Sequence, residues 1–243
     1  MLKTYNQKIF NKNYNFKKII FLVNFLFFFA ALNIQNAPAF ENIKATNKIL
    51  KTSQAQNNNS EYLLEKYKTE ISQIEDFLNS ISNLKANFIQ TIDDSKVEGI
   101  FYLSRTKEKA GKMRIEYLAD PKVLIVVNGS ILSYHDIELD EISKLSTNTT
   151  PASFLTRPNI SFNSKDIEIT NIIKDQEQIK ISLLKKNRKD AGEFSLIFKT
   201  DPLEFIKMEV KNDLGQEILV SLKNIEFPNS ISNNFFIIKD NNF

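Results

Sequence analysis

The chain of 243 residues has no cysteine, no tryptophan and one histidine, and only five glycines and six prolines. Without cysteine there is no disulfide, no thiolate metal ligand, no cysteine nucleophile and no lipid attached through a cysteine sulfur. A lone histidine, His135, cannot build a paired-histidine zinc centre. The glycines (Gly99, Gly111, Gly129, Gly192, Gly215) are scattered, so no glycine-rich phosphate loop is present. Asp136, Glu138, Asp140 and Glu141 gather near His135, but on an expected hairpin edge they read as a solvated loop. These absences leave no visible enzymatic chemistry and no expected metal or cofactor.

Long apolar runs are scarce too, and the one that stands out lies near the start. Lys17 and Lys18 precede the run from Ile19 to Leu32, and Ala37-Pro38-Ala39 then places small residues where a signal peptidase reads them. A basic start, a short apolar stretch and an Ala-x-Ala site define a secretory signal peptide over 1–39, cleaved after Ala39. The competing reading is an uncleaved anchor; the run falls short of the ~20 apolar residues a membrane helix needs. Charge follows the same division. The chain as written carries +3, but its first 39 residues hold five lysines and no acid. The remainder has 27 basic against 29 acidic side chains, a net −2. Such a chain offers no clustered basic surface for nucleic acid.

Residues 40–59 are polar and Asn-rich and read as a flexible lead-in. From residue 60 to 243 the pattern is that of one domain. Leu63, Tyr67, Ile71, Ile74, Leu78, Ile81 and Leu84 recur every three or four positions, which predicts a long amphipathic helix with Ser60 as its N-cap. After Lys85 the period falls to two, and about ten short alternating runs follow, linked by polar turns. Asn128-Gly129 is a hairpin signal, because both residues tolerate positive φ. Thr149 to Leu155 reads as a proline-initiated short helix or turn with an apolar tip. The expected fold is mainly β: an antiparallel meander curled into an incomplete barrel, with two helices available to cover its mouth.

Strand alternation sorts the faces. Phe101, Leu103 and Arg105 share one face; Met113, Ile115 and Tyr117 lie opposite Lys112, Arg114 and Glu116. If these faces line an interior, Arg105 is a cation among hydrophobes. It must then sit at the rim or bond carbonyls of whatever covers the mouth.

Taken in order, these segments resemble the LolA family of outer-membrane lipoprotein carriers. The pieces are Ala86-Asn87-Phe88-Ile89-Gln90 after a helix, Gly99 to Arg105, Gly111 to Tyr117, Asn128-Gly129 with Tyr134, and Thr150-Pro151 before Phe154-Leu155. The resemblance covers roughly residues 60–240 and is most specific over 86–155. It implies a half-barrel whose apolar cavity is closed by a helical lid, in a periplasmic monomer. Arg105 would lock the lid, and Thr150, Pro151, Phe154 and Leu155 would form part of it. Phe88, Phe101, Leu103, Met113, Ile115 and Tyr117 would line the acyl-chain cavity. The implied partners are triacylated lipoproteins, an inner-membrane ABC transporter complex and an outer-membrane acceptor. Thr106 stands where the family usually has proline, and the C-terminal half matches by strand pattern alone. The absence of cysteine argues against the acceptor itself, which is a lipoprotein. A lipid-binding sensor or adaptor, or a carrier of another lipid, remains the alternative on the same fold.

Overall fold

The computed structural model describes residues 59–120, 122–147, 152–186, 192–211 and 215–238. The proposed signal peptide and nearly all of the lead-in lie outside these residues. Helical structure covers residues 59–66, pauses at Tyr67, and resumes as α1, Lys68–Ser80. Bonds from Tyr67 N to Leu63 O (3.0 Å) and from Ile71 N to Tyr67 O (2.9 Å) carry the ladder through the break. The apolar stripe therefore stays on one face, and Leu63, Ile71, Ile74 and Leu78 are buried.

Two helix expectations are corrected. Ser60 is not a cap: it lies inside the helical segment, buried, and its Oγ accepts from Ile169 N at 3.2 Å. The helix also ends sooner, at Ser80, with Ile81 already extended (φ −74°, ψ 108°). Ser80 Oγ donates back to Phe77 O at 2.7 Å, the local bonding by which serine competes with helix propagation. Leu84 extended the helical spacing only because a buried strand position happens to fall there.

Eleven strands form one antiparallel sheet. β1 (Asn83–Ile92), β2 (Ser95–Ser104), β3 (Lys112–Tyr117), β4 (Val123–Asn128), β5 (Ile131–Asp136) and β6 (Glu141–Ser146) follow one another outward. After the short α2 (Ala152–Leu155), β7 (Ile167–Lys174), β8 (Gln178–Lys185), β9 (Glu193–Thr200), β10 (Leu203–Lys211) and β11 (Glu217–Glu226) return inward. β11 pairs with β1, so two meanders join at the centre and β6 and β7 are left as edges; the sheet does not close. Asn128 pairs with Ile131 across the expected hairpin, with Gly129 at φ +62°. β6 is the strand sequence reading passed over: its pattern is mostly exposed and polar, as befits a short sheet edge.

The inner face holds the core. Leu84, Ala86, Phe88, Val97, Phe101, Leu103, Met113, Ile115 and Tyr117 join the buried face of α1 and the apolar residues of β7–β11 in one cluster. The outer face of β2–β4 is covered as well. A 3-10 turn, Asn233–Phe236, lays Phe236 against Leu124 and Val126, and Phe235 edge-on to Tyr102 at 4.7 Å. Arg114 donates to Phe235 O at 2.9 Å and stacks 4.5 Å from its ring, while Lys112 Nζ reaches Asn233 Oδ1 at 3.0 Å. That strap is why β4 reads Val-Leu-Ile-Val-Val without alternation: both of its faces are buried.

Candidate functional site

Arg105 follows directly on the end of β2, where its N–H donates to Ser82 O at 2.7 Å. Its side chain turns inward and is only 6% exposed. One terminal nitrogen, Nη2, donates to Leu78 O and to Ile81 O (3.2 Å) at the C-terminal end of α1. The other, Nη1, donates to Leu155 O (3.5 Å) at the end of α2 and to Arg157 O (3.4 Å) just beyond it. Carbonyls in the last turn of a helix lack intrahelical partners and carry the negative end of its dipole, so a cation suits the α1 end. The cost is desolvation: burial lowers the Arg105 pKa to about 10, and Nε is buried without a partner. Gly111 makes the geometry possible. A Cβ there would stand 2.5 Å from Arg105 Cγ, and Gly111 N–H donates to Thr156 O at 2.6 Å. One side chain thus ties together a strand end, a long helix and a short helix.

An apolar pocket of about 60 Å³ adjoins this knot. Phe88, Phe101, Met113, Ile115 and Tyr117 line it from the first meander, and Phe194, Leu196, Met208, Val210 and Val220 from the second, with Leu155 over them. Such a volume holds about two waters. Phe88 lies over Gly99, where a Cβ would come within 2.3 Å of its ring, and meets Tyr117 edge-on at 5.3 Å. Glycine opens β2 so that an aromatic from the next strand can fill the wall. Phe154 of α2 packs 5.7 Å from Phe194 and 5.4 Å from Phe162, which fixes the short helix on the inner face.

A sequence model described as "Outer membrane lipoprotein carrier protein LolA" matches residues 79–239, more than half of the chain. The chain belongs to the LolA family. Among solved structures it is similar to a LolA superfamily protein from Nitrosomonas europaea (10% identity, TM-score 0.40, covering 69% of this chain and 97% of that one). It is similar also to a DUF1329 family protein from Desulfovibrio piger (10% identity, TM-score 0.43, 69% and 95%). A third is the Pseudomonas aeruginosa MucA/MucB complex (12% identity, TM-score 0.39, 68% and 60%). No curated protein matches the sequence at a significant level.

Within this LolA-family chain the expected site residues fall as follows. Five of the six cavity candidates line the pocket. Leu103 instead fills the packed space under the arginine with Leu78, Ile81, Leu84 and Ile160. Phe154 and Leu155 are buried in α2 beside the pocket, whereas Thr150 and Pro151 lie outside the described residues. The second-meander wall went unassigned in the sequence, although the alternation Phe194-x-Leu196-x-Phe198 and Met208-x-Val210 was there to find it. The acidic cluster is turn architecture. Asp136 Oδ1 accepts from the N–H groups of Glu138 and Leu139 (3.0 and 3.1 Å), and Asp140 pairs with His135 at 3.0 Å.

Proposed function

We propose that this is an exported lipoprotein carrier, in which the space between the sheet and the α1/α2 cover receives acyl chains during passage across the periplasm. The observation that carries this reading is Arg105: a buried cation whose four carbonyl acceptors lie at the ends of α1 and α2, one of them on Leu155, which also lines the apolar pocket. Each methylene kept from water is worth ~0.8 kcal/mol, so an acylated protein cannot cross an aqueous space unaided. The pocket as described cannot admit an acyl chain, whose many methylenes are each about water-sized. Loading therefore requires α2 and its flanking loop to lift, and lifting breaks the Arg105 bonds to Leu155 and Arg157.

In this reading the latched form is the empty carrier, and the cargo-bound form lacks the latch. Binding must supply the latch energy, which leaves the loaded carrier poised to release. Cargo arrives from an inner-membrane transporter, and an outer-membrane acceptor takes it up. The test is native mass spectrometry of the mature protein purified from periplasm, with lipid analysis of anything bound, followed by mixing with a triacylated lipopeptide. A stoichiometric acylated cargo is expected. A protein that is empty and leaves the lipopeptide insoluble overturns the carrier and favours a sensor or adaptor on this fold.

A further inference from the structure

Strand register sets a few polar groups into the apolar inner wall. Gln90 in β1 is fully buried, and the Tyr117 hydroxyl, also buried, donates to its Oε1 at 2.8 Å. The two meet across β2 because Gly99, paired with both Phe88 and Tyr117, has no side chain to part them. Further along the same wall Tyr134 of β5 pairs with Ile125, which pairs with Ile115. Tyr134 therefore stands on the inner face one row from Tyr117, two strands or about 10 Å beyond a pocket-lining residue.

The Tyr134 hydroxyl is shut off from solvent and has no hydrogen-bond partner. An acid on that face, Asp136, is buried, and its Oδ1 accepts two backbone N–H groups, with no bond from Tyr134. A buried hydroxyl with nothing to bond keeps its full desolvation cost, and folded proteins rarely leave one so without a use for it. Apart from Asp136 and Tyr117 the inner wall is mostly apolar, and apolar contact has no direction: an acyl chain could slide along such a surface without a preferred depth. A single hydrogen bond would set that depth.

We propose that Tyr134 is a polar anchor for the cargo, its O–H donating to a carbonyl oxygen of the ester or amide that joins an acyl chain to its head. This rests on the carrier reading above and refines it to a substrate class: carbonyl-linked acyl ligands, in preference to bare hydrocarbon chains. Tyr117 is held by Gln90 and shapes the wall, whereas Tyr134 has a donor to give. Its place on the inner face, in the row of the pocket-lining Ile115, puts the hydroxyl within reach of a cargo that extends along the wall.

The test uses two synthetic lipopeptides with the same peptide and chain length, one diacyl with ester linkages and one dialkyl with ether linkages. Both are titrated by fluorescence against the wild-type protein and Tyr134→Phe, which keeps the ring and removes one oxygen. Wild type is expected to prefer the ester ligand. Tyr134→Phe is expected to lose about three- to tenfold in ester affinity, the worth of one neutral hydrogen bond, with ether binding unchanged. An ester-to-ether ratio that stays the same in the variant, whether both affinities hold or both fall together, overturns the anchor and leaves the carrier standing. Wild type that binds neither ligand overturns the carrier and the anchor with it. Circular dichroism confirms that the variant is folded.

Discussion

Replacing Arg105 by leucine removes a cation from among four carbonyl oxygens and puts an apolar side chain among Leu78, Ile81, Leu103, Leu155 and Ile160. Two consequences separate. Overall stability should move little, by about 1 kcal/mol either way, because the lost bonds are offset by relief of the buried charge and by added apolar contact. The cover should move far more. Its two bonds to Nη1, from Leu155 O and Arg157 O, are long at 3.5 and 3.4 Å. Taken near the low end for bonds to a charged group, they contribute roughly 2–3 kcal/mol together. That shifts the equilibrium for lifting α2 by about 30- to 150-fold.

Hydrogen exchange reads this shift directly, because the Gly111 amide donates to Thr156 O across the seam that must part. In Arg105→Leu that amide should exchange about 30- to 150-fold faster, while amides of the central strands β1 and β11 keep their wild-type protection. In the proposed cycle the same energy biases release, so loaded Arg105→Leu should hand cargo to acceptor membranes more slowly, with uptake retained. A Gly111 amide as protected as in wild type refutes the latch. Faster exchange with unchanged transfer refutes its role in release.

Other perturbations probe the frame around the pocket. Gly99→Ala would drive a Cβ to 2.3 Å from the Phe88 ring and 2.4 Å from Glu116 O, so overpacking should cost ~1–3 kcal/mol; urea unfolding at or above wild-type stability contradicts this. Phe236→Ala empties the strap that covers Leu124 and Val126, where the ring is 1% exposed, and should cost ~3 kcal/mol or more. Unfolding curves check it, and a loss below ~1 kcal/mol means the strap is dispensable. Burial raises the tyrosines of the inner wall, Tyr117 well above its usual value and Tyr134 to about 12. Their neutral forms are favoured in the folded state, so this contribution is complete below pH ~10 and is lost as pH rises from there through 12. Tyrosinate absorbance should therefore lag in the folded protein, and Tyr134→Phe should flatten the alkaline fall in stability; normal titration of all tyrosines would refute the burial argument.

What could be read from the sequence follows physical range. β1 to β3 and the Asn128-Gly129 hairpin were legible because alternation and turn chemistry are local, and the inner set Phe101, Met113, Ile115 and Tyr117 follows from alternation alone. Arg105 was legible as a problem: a cation on an apolar face must find acceptors, and carbonyls at the ends of α1 and α2 are what it found. Other features depend on partners distant in the chain. Ser60 looked like a cap because nothing local announces Ile169, 109 residues away, as its partner. β4 looked like an ordinary buried strand, with no sign that residues near 236 supply its second cover. β6 carries no apolar alternation because an edge strand with an exposed face needs none. Tyr134 was visible only as a hairpin marker, since an unpaired hydroxyl is a property of its surroundings and not of its residue type.

Contact chemistry explains why a carrier of this kind would place its latch on an arginine. In the proposed closed state the inner wall contacts Leu155 and Phe154 of α2; loaded, it would contact methylenes. Those two sets of contacts are near equivalents, because apolar burial scales with area and is indifferent to which carbon supplies it. Apolar packing alone would leave closed and loaded states separated mainly by the area each buries, and longer chains would always win. The Arg105 bonds are different in kind, since no acyl chain can offer four carbonyl oxygens to a guanidinium. They add a fixed increment to the closed state whatever the chain length, and that increment sets how readily cargo leaves. It follows that lengthening the acyl chains should raise affinity in wild type and Arg105→Leu alike, with parallel slopes and a constant offset between the two proteins. Titration with a series of lipopeptides of increasing chain length measures both; converging lines would mean that the latch competes with the chain for the same contacts.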